Sequence, residues 1–253
     1  MERVIRVYTI SDLYDLEHTD AKEYLNQFVY PWEALKGIKD LIIRLGEKLG
    51  DECRAERLAV LLGPGICIKR SPLCGRNFEY YSEDPLIAGV FAAASVKGIQ
   101  SQKIAATIKH FFANNKEVNR KCCDSRVSER ALREIYLRGF EIAVKTAKPW
   151  ALMTSYNLIN GVQATANWEA INGVLRGEWK YQGLVMTDWW AFSHLEDEIH
   201  AGSDVKMPEM ISSMWEHRHA PHKLSELMAE GKLDRNAVNA SVKRILTFMD
   251  HFE

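Results

Sequence analysis

Short apolar runs, each halted by polar or charged residues and each followed by a helical pattern, constrain this chain more than any other feature. The runs are "LAVLLGPG" (58–65), "IAATIKHF" (104–111), "ALMTSYN" (151–157), "GLVMTDW" (183–189) and "SDVKMP" (203–208). Most are continuous rather than alternating, the signature of strands buried on both faces. Between them lie helical patterns over 33–56, 85–100, 128–146, 168–178 and 193–200. In the first, Leu35, Ile38, Leu41, Ile42, Leu45 and Leu49 recur three or four apart and form one apolar stripe. Ser128 has the hydroxyl of an N-cap, with Glu129 in the first turn behind it. Strand and helix alternating in units of roughly 30 to 45 residues predict βα repeats on a parallel sheet. The 253 residues suffice for one such core. Residues 3–10, "RVIRVYTI", read as a strand, and residues 11–32 show no period.

In a β/α barrel the carboxyl ends of the strands build the active site. Here those ends carry Arg76 in the loop after 58–65, Lys109 and His110, Tyr156, and Asp188. If the strands are neighbours, these side chains converge. Charge pairing with the cations is expected to lower the pKa of Asp188 and keep it ionised. An ionised carboxylate among hydroxyls, amides and indoles suits attack on an oxocarbenium-like centre. Trp189 and Trp190 offer flat apolar faces to a sugar ring. Each residue taken singly also has a structural reading. Asp188 could cap the next helix, Lys109 and His110 could be a surface charge and a satisfied core histidine, and Tyr156 and the tryptophans could be core. Arg76 and Glu79 could form a loop ion pair worth little. Only the recurrence of polar residues at successive strand ends favours a site.

With 33 basic and 34 acidic residues the formal charge is −1, so no global field favours nucleic acid or an anionic membrane. "GPGICIKR" lacks both the phosphate-loop and the dinucleotide glycine patterns. "NRKCCDSR", interrupted by Asp124, reads as a solvated loop. Cys53, Cys67, Cys74, Cys122 and Cys123 show no zinc-ligand spacing and are expected to be reduced thiols. The first twenty residues hold no apolar core of secretory length. Together these features predict a cytoplasmic protein without a membrane or nucleic-acid partner.

Six segments carry a family resemblance: "LLGPGICIKRSPLCGRNFEYYSEDP", "IKHFFANNKE", "DSRVSERALREIYLRGFEIAVK", "PWALMTSYNLINGV", "LRGEWKYQGLVMTDWW" and "AGSDVKMP". In this order, from Lys36 to Phe248, they closely resemble the barrel domain of glycoside hydrolase family 3 β-glucosidases. The resemblance implies an α/β fold, a TIM-like (β/α) barrel over 36–253 that is incomplete on its N-terminal side, after a divergent segment 1–35. It implies a retaining, exo-acting β-glycosidase in which Asp188 is the nucleophile. Arg76, Lys109 and His110 match residues that hold sugar hydroxyls, Tyr156 matches the tyrosine beside the nucleophile, and Trp189 matches an aromatic wall. The substrate is a small carbohydrate, and no metal or organic cofactor is implied.

Two departures accompany the match. The family's acid/base is usually a glutamate from a second, α/β sandwich domain, and no region of this sequence resembles that domain. Other members carry a His-containing loop after Lys-His-Phe, whereas "FANNKEVNR" has no histidine. The acid/base is therefore unassigned. Residues 1–35 also lack the family's Asp-Gly-Pro segment. The expectation is a missing second domain or a homo-oligomer that covers open strand edges. The alternative reading is a catalytically impaired sugar-binding barrel or fragment.

Overall fold

A computed structural model describes residues 31–207 and 224–252, with side chains from residue 37 onward. The expected strand at 3–10 lies outside the described residues. The chain divides into two compact units, Met1–Asp40 and Leu41–Glu253, and all the described strands belong to the second.

Helix α1 (Pro31–Ala55) leads to β1 (Val60–Leu61), and helix α2 (Pro85–Ser101) to β2 (Ala105–Phe111). After the short β3 (Asp124–Ser125), one helical turn (Glu129–Ala131) and a π-helical stretch (Leu132–Tyr136) run into α3 (Arg138–Ala147). Then come β4 (Ala151–Thr154), the strands β5 (Leu158–Ile159) and β6 (Val162–Gln163), and a π-helical segment Glu169–Glu178. Last are β7 (Leu184–Met186), α4 (Leu195–Ala201), α5 (Leu224–Ala229) and α6 (Arg235–Met249). The sheet has the order β1-β2-β4-β7, every pair parallel, with Val60 beside Ala105, Thr107 beside Ala151 and Leu152 beside Val185. Met186 bridges Val205 in the same sense, so residue 205 marks the next position along the arc.

Parallel strands need helical crossovers, and the crossovers explain the composition. β2 and β4 are almost wholly buried, which fits their continuous apolar character. Helices α2 and α3 meet through small residues. A Cβ added to Gly89 would lie 2.8 Å from Ile142 Cβ and 2.9 Å from the Gly139 carbonyl oxygen, so nothing larger fits there. The cap expected at Ser128 forms, and the structure adds one at Asp84. Asp84 accepts from the Leu86 and Ile87 amides, and Ser128 from the Ala131 amide. Asn160 and Gly161, at φ +50° and +91°, close the β5–β6 hairpin as an Asn-Gly turn does.

The strands are shorter than their apolar runs. Of 58–65 only Val60–Leu61 is regular strand, although Gly65 bridges Lys109, and 203–207 contributes the single bridge at Val205. The runs continue as loops that still bond the sheet: the Gly63 carbonyl accepts from the Thr107 amide at 2.9 Å, and the Ile66 amide donates to the Lys109 carbonyl at 2.7 Å. The predicted helices at 128–146 and 168–178 contain π turns, a winding that apolar residues recurring three or four apart do not distinguish from α. Among the described residues no helix is long and apolar enough to cross a membrane.

Candidate active site

The sheet order places β1, β2, β4 and β7 side by side, and so brings their carboxyl ends together. A pocket of ≈ 260 Å³ opens there, lined by Arg76, Lys109, His110, Tyr156, Asp188 and Trp189 among others. All six residues expected from the sequence therefore meet at one place.

The loop after β1 delivers Arg76. Its path depends on Gly65, where an added Cβ would lie 2.9 Å from the Tyr80 ring. Asn77 closes the loop by donating to the Ser71 carbonyl at 2.7 Å, and a 3-10 turn, Asn77–Glu79, follows Arg76. The Glu79 carboxylate accepts from Arg76 Nε and lies 3.3 Å from Lys109 Nζ, so one anion holds two cations. The sequence reading of a weak loop ion pair misses this, because Glu79 is largely buried and joins two strands' worth of site residues.

β2 delivers Lys109 and His110. His110 is buried, its Nδ1 3.4 Å from the Tyr80 hydroxyl and its Nε2 3.6 Å from Asp188 Oδ2. Burial, reinforced by Arg76, Lys109 and Arg120, holds its pKa well below the ordinary histidine value. The ring is neutral, so its approach to Asp188 is not an ion pair.

Asp188 follows β7. Thr187 fixes that strand end twice: its amide bonds the Val205 carbonyl at 2.9 Å, and its hydroxyl accepts from the Met207 amide at 3.0 Å. Asp188 is not a helix cap, since α4 begins at Leu195 with His194 in the cap position. Its Oδ1 accepts from the Trp189 amide at 2.8 Å, and the Tyr156 hydroxyl also interacts with the carboxylate. Oδ2 is buried and has no hydrogen bond of good geometry among the described residues. The expected depression of its pKa is overturned. Burial raises it, and the opposing contributions of the Trp189 amide, Tyr156, Arg76 and Arg120 do not cancel the rise. The physical reason is that the cations are already engaged: Arg76 and Lys109 by Glu79, and Arg120 by Glu117 at 2.8 Å. Burial and the neighbouring Asp188 charge push the Tyr156 phenol up, so it remains a proton donor.

The segment "NRKCCDSR" corrects a second expectation. It is not merely a solvated loop: Arg120 lines the pocket with its guanidinium carbon 4.7 Å from the centre of the Tyr156 ring. Lys121 Nζ lies 5.4 Å from Tyr156, 5.2 Å from Trp190 and 4.8 Å from Phe192. The signal available in the sequence was proximity, since the segment begins nine residues after His110 on the outgoing loop of the same strand. Asp188 is the single carboxylate among the described lining residues. The five cysteines are free thiols.

Comparison with known proteins completes the description. Residues 34–248 match the family model described as the glycosyl hydrolase family 3 N-terminal domain. The chain is 46% identical over 208 residues to thermostable β-glucosidase B of Acetivibrio thermocellus, covering 82% of this chain and 27% of that enzyme. It is 45% identical over 201 residues to an exo-α-(1→6)-L-arabinopyranosidase of Bifidobacterium breve, covering 77% of this chain and 26% of that one. The structure of β-glucosidase 3B from Thermotoga neapolitana in complex with glucose superposes with a TM-score of 0.78 at 44% identity, over 85% of this chain and 31% of that one. The shared fold is a TIM-like (β/α) barrel, of which the described strands form an open arc. The present chain thus spans less than a third of the length of these relatives. Two-fifths identity sustained across a matched fold leaves one conclusion: the chain belongs to glycosyl hydrolase family 3 and carries that family's N-terminal domain.

Proposed function

We propose that this chain is the sugar-binding, nucleophile-bearing part of a retaining, exo-acting β-glycosidase of the β-glucosidase type. The observation that carries the reading is Asp188 itself, a buried carboxylate whose Oδ2 has no hydrogen-bond partner of good geometry and which lines a pocket between three cations and an indole. In the first step Oδ2 attacks the anomeric carbon, a C–O ester bond forms, and the glycosidic C–O bond breaks. The leaving oxygen takes a proton from an acid, and water then reverses the sequence to release the sugar. Raised pKa and low dielectric suit this role, because an anion stripped of hydration bonds is a stronger nucleophile.

The other residues fit the binding of an uncharged polyol. Arg76, Lys109 and Arg120 are balanced by Glu79, Glu117 and Asp188, so the pocket has no net call for an anion. Arg76, Lys109, Arg120 and neutral His110 offer donors to hydroxyls. Trp189 supplies an apolar face, and the Tyr156 phenol steadies the nucleophile. A pocket of ≈ 260 Å³, at the small end of ligand sites, suits one terminal sugar rather than a chain threading through. The leaving-group proton comes from a further domain or from a second copy of the chain, in keeping with Asp188 as the lone carboxylate among the described lining residues. That same observation favours, as second reading, a barrel that binds sugar but turns it over poorly.

An Asp188→Ala chain assayed with an aryl β-glucoside separates the readings. A good leaving group needs little protonation, so the wild type is active on it. The variant loses turnover, and added azide restores reaction with formation of the α-glycosyl azide. Undiminished turnover in the variant contradicts the nucleophile assignment, and an inactive wild type that still binds glucose leaves the second reading.

A further inference from the structure

A second cleft, of ≈ 520 Å³, lies beside the β5–β6 hairpin and helix α4. Its lining includes Gln163, Trp168, Phe192, His194, Asp197 and His200. Two large aromatic side chains there are unusually open: Trp168 is 58% exposed and Phe192 43%. Neither is used by the site around Asp188.

The two cavities are joined by one short segment. Trp189 and Trp190 line the first pocket, and Phe192 and Ser193 line the second. Trp190 and Phe192 are two residues apart, so their Cα atoms lie within about 7.6 Å. Lys121 spans the junction, its ammonium 5.2 Å from the Trp190 ring and 4.8 Å from the Phe192 ring. Aromatic rings thus stand on both sides of the junction, Trp189 and Trp190 at the first pocket and Phe192 and Trp168 at the second.

The segment is also anchored. Trp190 has φ +60°, a left-handed conformation that bulky residues rarely adopt. Just beyond it, Ser193 donates to Glu198 Oε1 at 2.6 Å, its hydroxyl is bonded to that of Thr165, and its carbonyl accepts from Lys206 Nζ at 3.1 Å. Phe192 is thus presented by a fixed backbone, as a binding platform requires.

We propose that this second cleft is a subsite for the leaving-group side of a longer glycoside, with Phe192 and Trp168 stacking on sugar rings and Gln163, His194 and Asp197 bonding their hydroxyls. The inference rests on the assignment of the Asp188 pocket to a terminal sugar. Open aromatic faces beside uncharged and mixed-charge polar groups suit a saccharide better than an ion. Among the described residues His194, Asp197 and His200 do not converge as a metal-holding group.

The test is calorimetric titration of the full chain with glucose and with thio-linked cellotriose, which cannot be hydrolysed, in the wild type and in Trp168→Ala and Phe192→Ala. Both side chains are exposed, so truncation spares the core, and glucose binding reports that the first pocket is intact. Cellotriose binds the wild type more tightly than glucose, and each variant weakens cellotriose by about tenfold, the factor for one lost contact of about 1.4 kcal/mol, with glucose affinity held. Equal affinities for glucose and cellotriose in the wild type, or cellotriose binding indifferent to both substitutions, overturn the subsite alone. Failure of both sugars to bind the wild type overturns the reading of the Asp188 pocket and the subsite with it.

Discussion

Asp188 concentrates the conflict between stability and chemistry at a single residue. An aspartate ordinarily titrates near 3.9, and burial raises this one in the folded chain. A raised acid costs nothing while both states are protonated, and the penalty develops as pH climbs through the folded value. Asp188→Asn therefore raises the melting temperature at pH 7, and the gain vanishes below about pH 3.9. Thermal unfolding at the two pH values measures this, and a lower melting temperature for the variant at pH 7 contradicts it. With Asp188 as the proposed nucleophile, which must be ionised to attack, turnover is expected to show the matching signature, an acid limb of the rate profile above the ordinary aspartate range. His110 has the opposite sign: buried neutral, it supports the fold above the ordinary histidine value near 6.5 and withdraws that support as pH falls. The sequence placed both residues at strand ends, where the structure finds them lining one pocket, since strand-end position is a local property. It misjudged the direction of the Asp188 pKa shift because it read Arg76–Glu79 as a weak loop pair, and the engagement of Lys109 by Glu79 and of Arg120 by Glu117 emerges only once the loops are folded.

At the scale of elements, Asp204 fastens the end of the arc. Its side chain is fully buried, with Arg176 Nη2 at 2.8 Å and Arg244 Nε at 2.7 Å, and it accepts from the Val185 amide at 2.9 Å. One carboxylate thus ties the π-helical segment, α6 and β7 together, and Ser241 adds a bond to the Asp204 carbonyl at 3.2 Å. Asp204→Ala leaves two guanidinium groups without their buried partner and costs about 3–5 kcal/mol, the penalty for breaking such a pair. Urea unfolding followed by circular dichroism reads the loss, and a change under 1 kcal/mol would assign the cluster to the surface class of ion pairs. "AGSDVKMP" was legible as a strand end in a familiar motif, but not as a clamp, because Arg176 and Arg244 lie far from it in sequence. Helix positions were legible from period and from the cap at Ser128, whereas the Asp84 cap emerged only in the structure. Strand lengths were not, because an apolar run reports burial, and residues 62–65 and 203–207 are lodged in the fold without forming regular ladder.

For the whole molecule, the described sheet is an arc of four strands and a bridge, with the pocket on the side where the strands end. The ordering of motifs made the family and the barrel legible, since most of the motifs sit at strand ends and the strands of the parallel sheet are neighbours in sequence order. The convergence of Arg120 and Lys121 was not legible, because it depends on the path of a loop. The central claim is that nucleophile and sugar pocket are assembled within this chain. Intact-protein mass spectrometry after incubation with a 2-deoxy-2-fluoro aryl β-glucoside tests it most directly, because the fluorine slows release of the glycosyl-enzyme while the aryl group leaves unaided. The account predicts one covalent 2-fluoroglucosyl adduct, mapped by peptide sequencing to Asp188; an adduct on another residue, or none on folded protein that binds glucose, would contradict it.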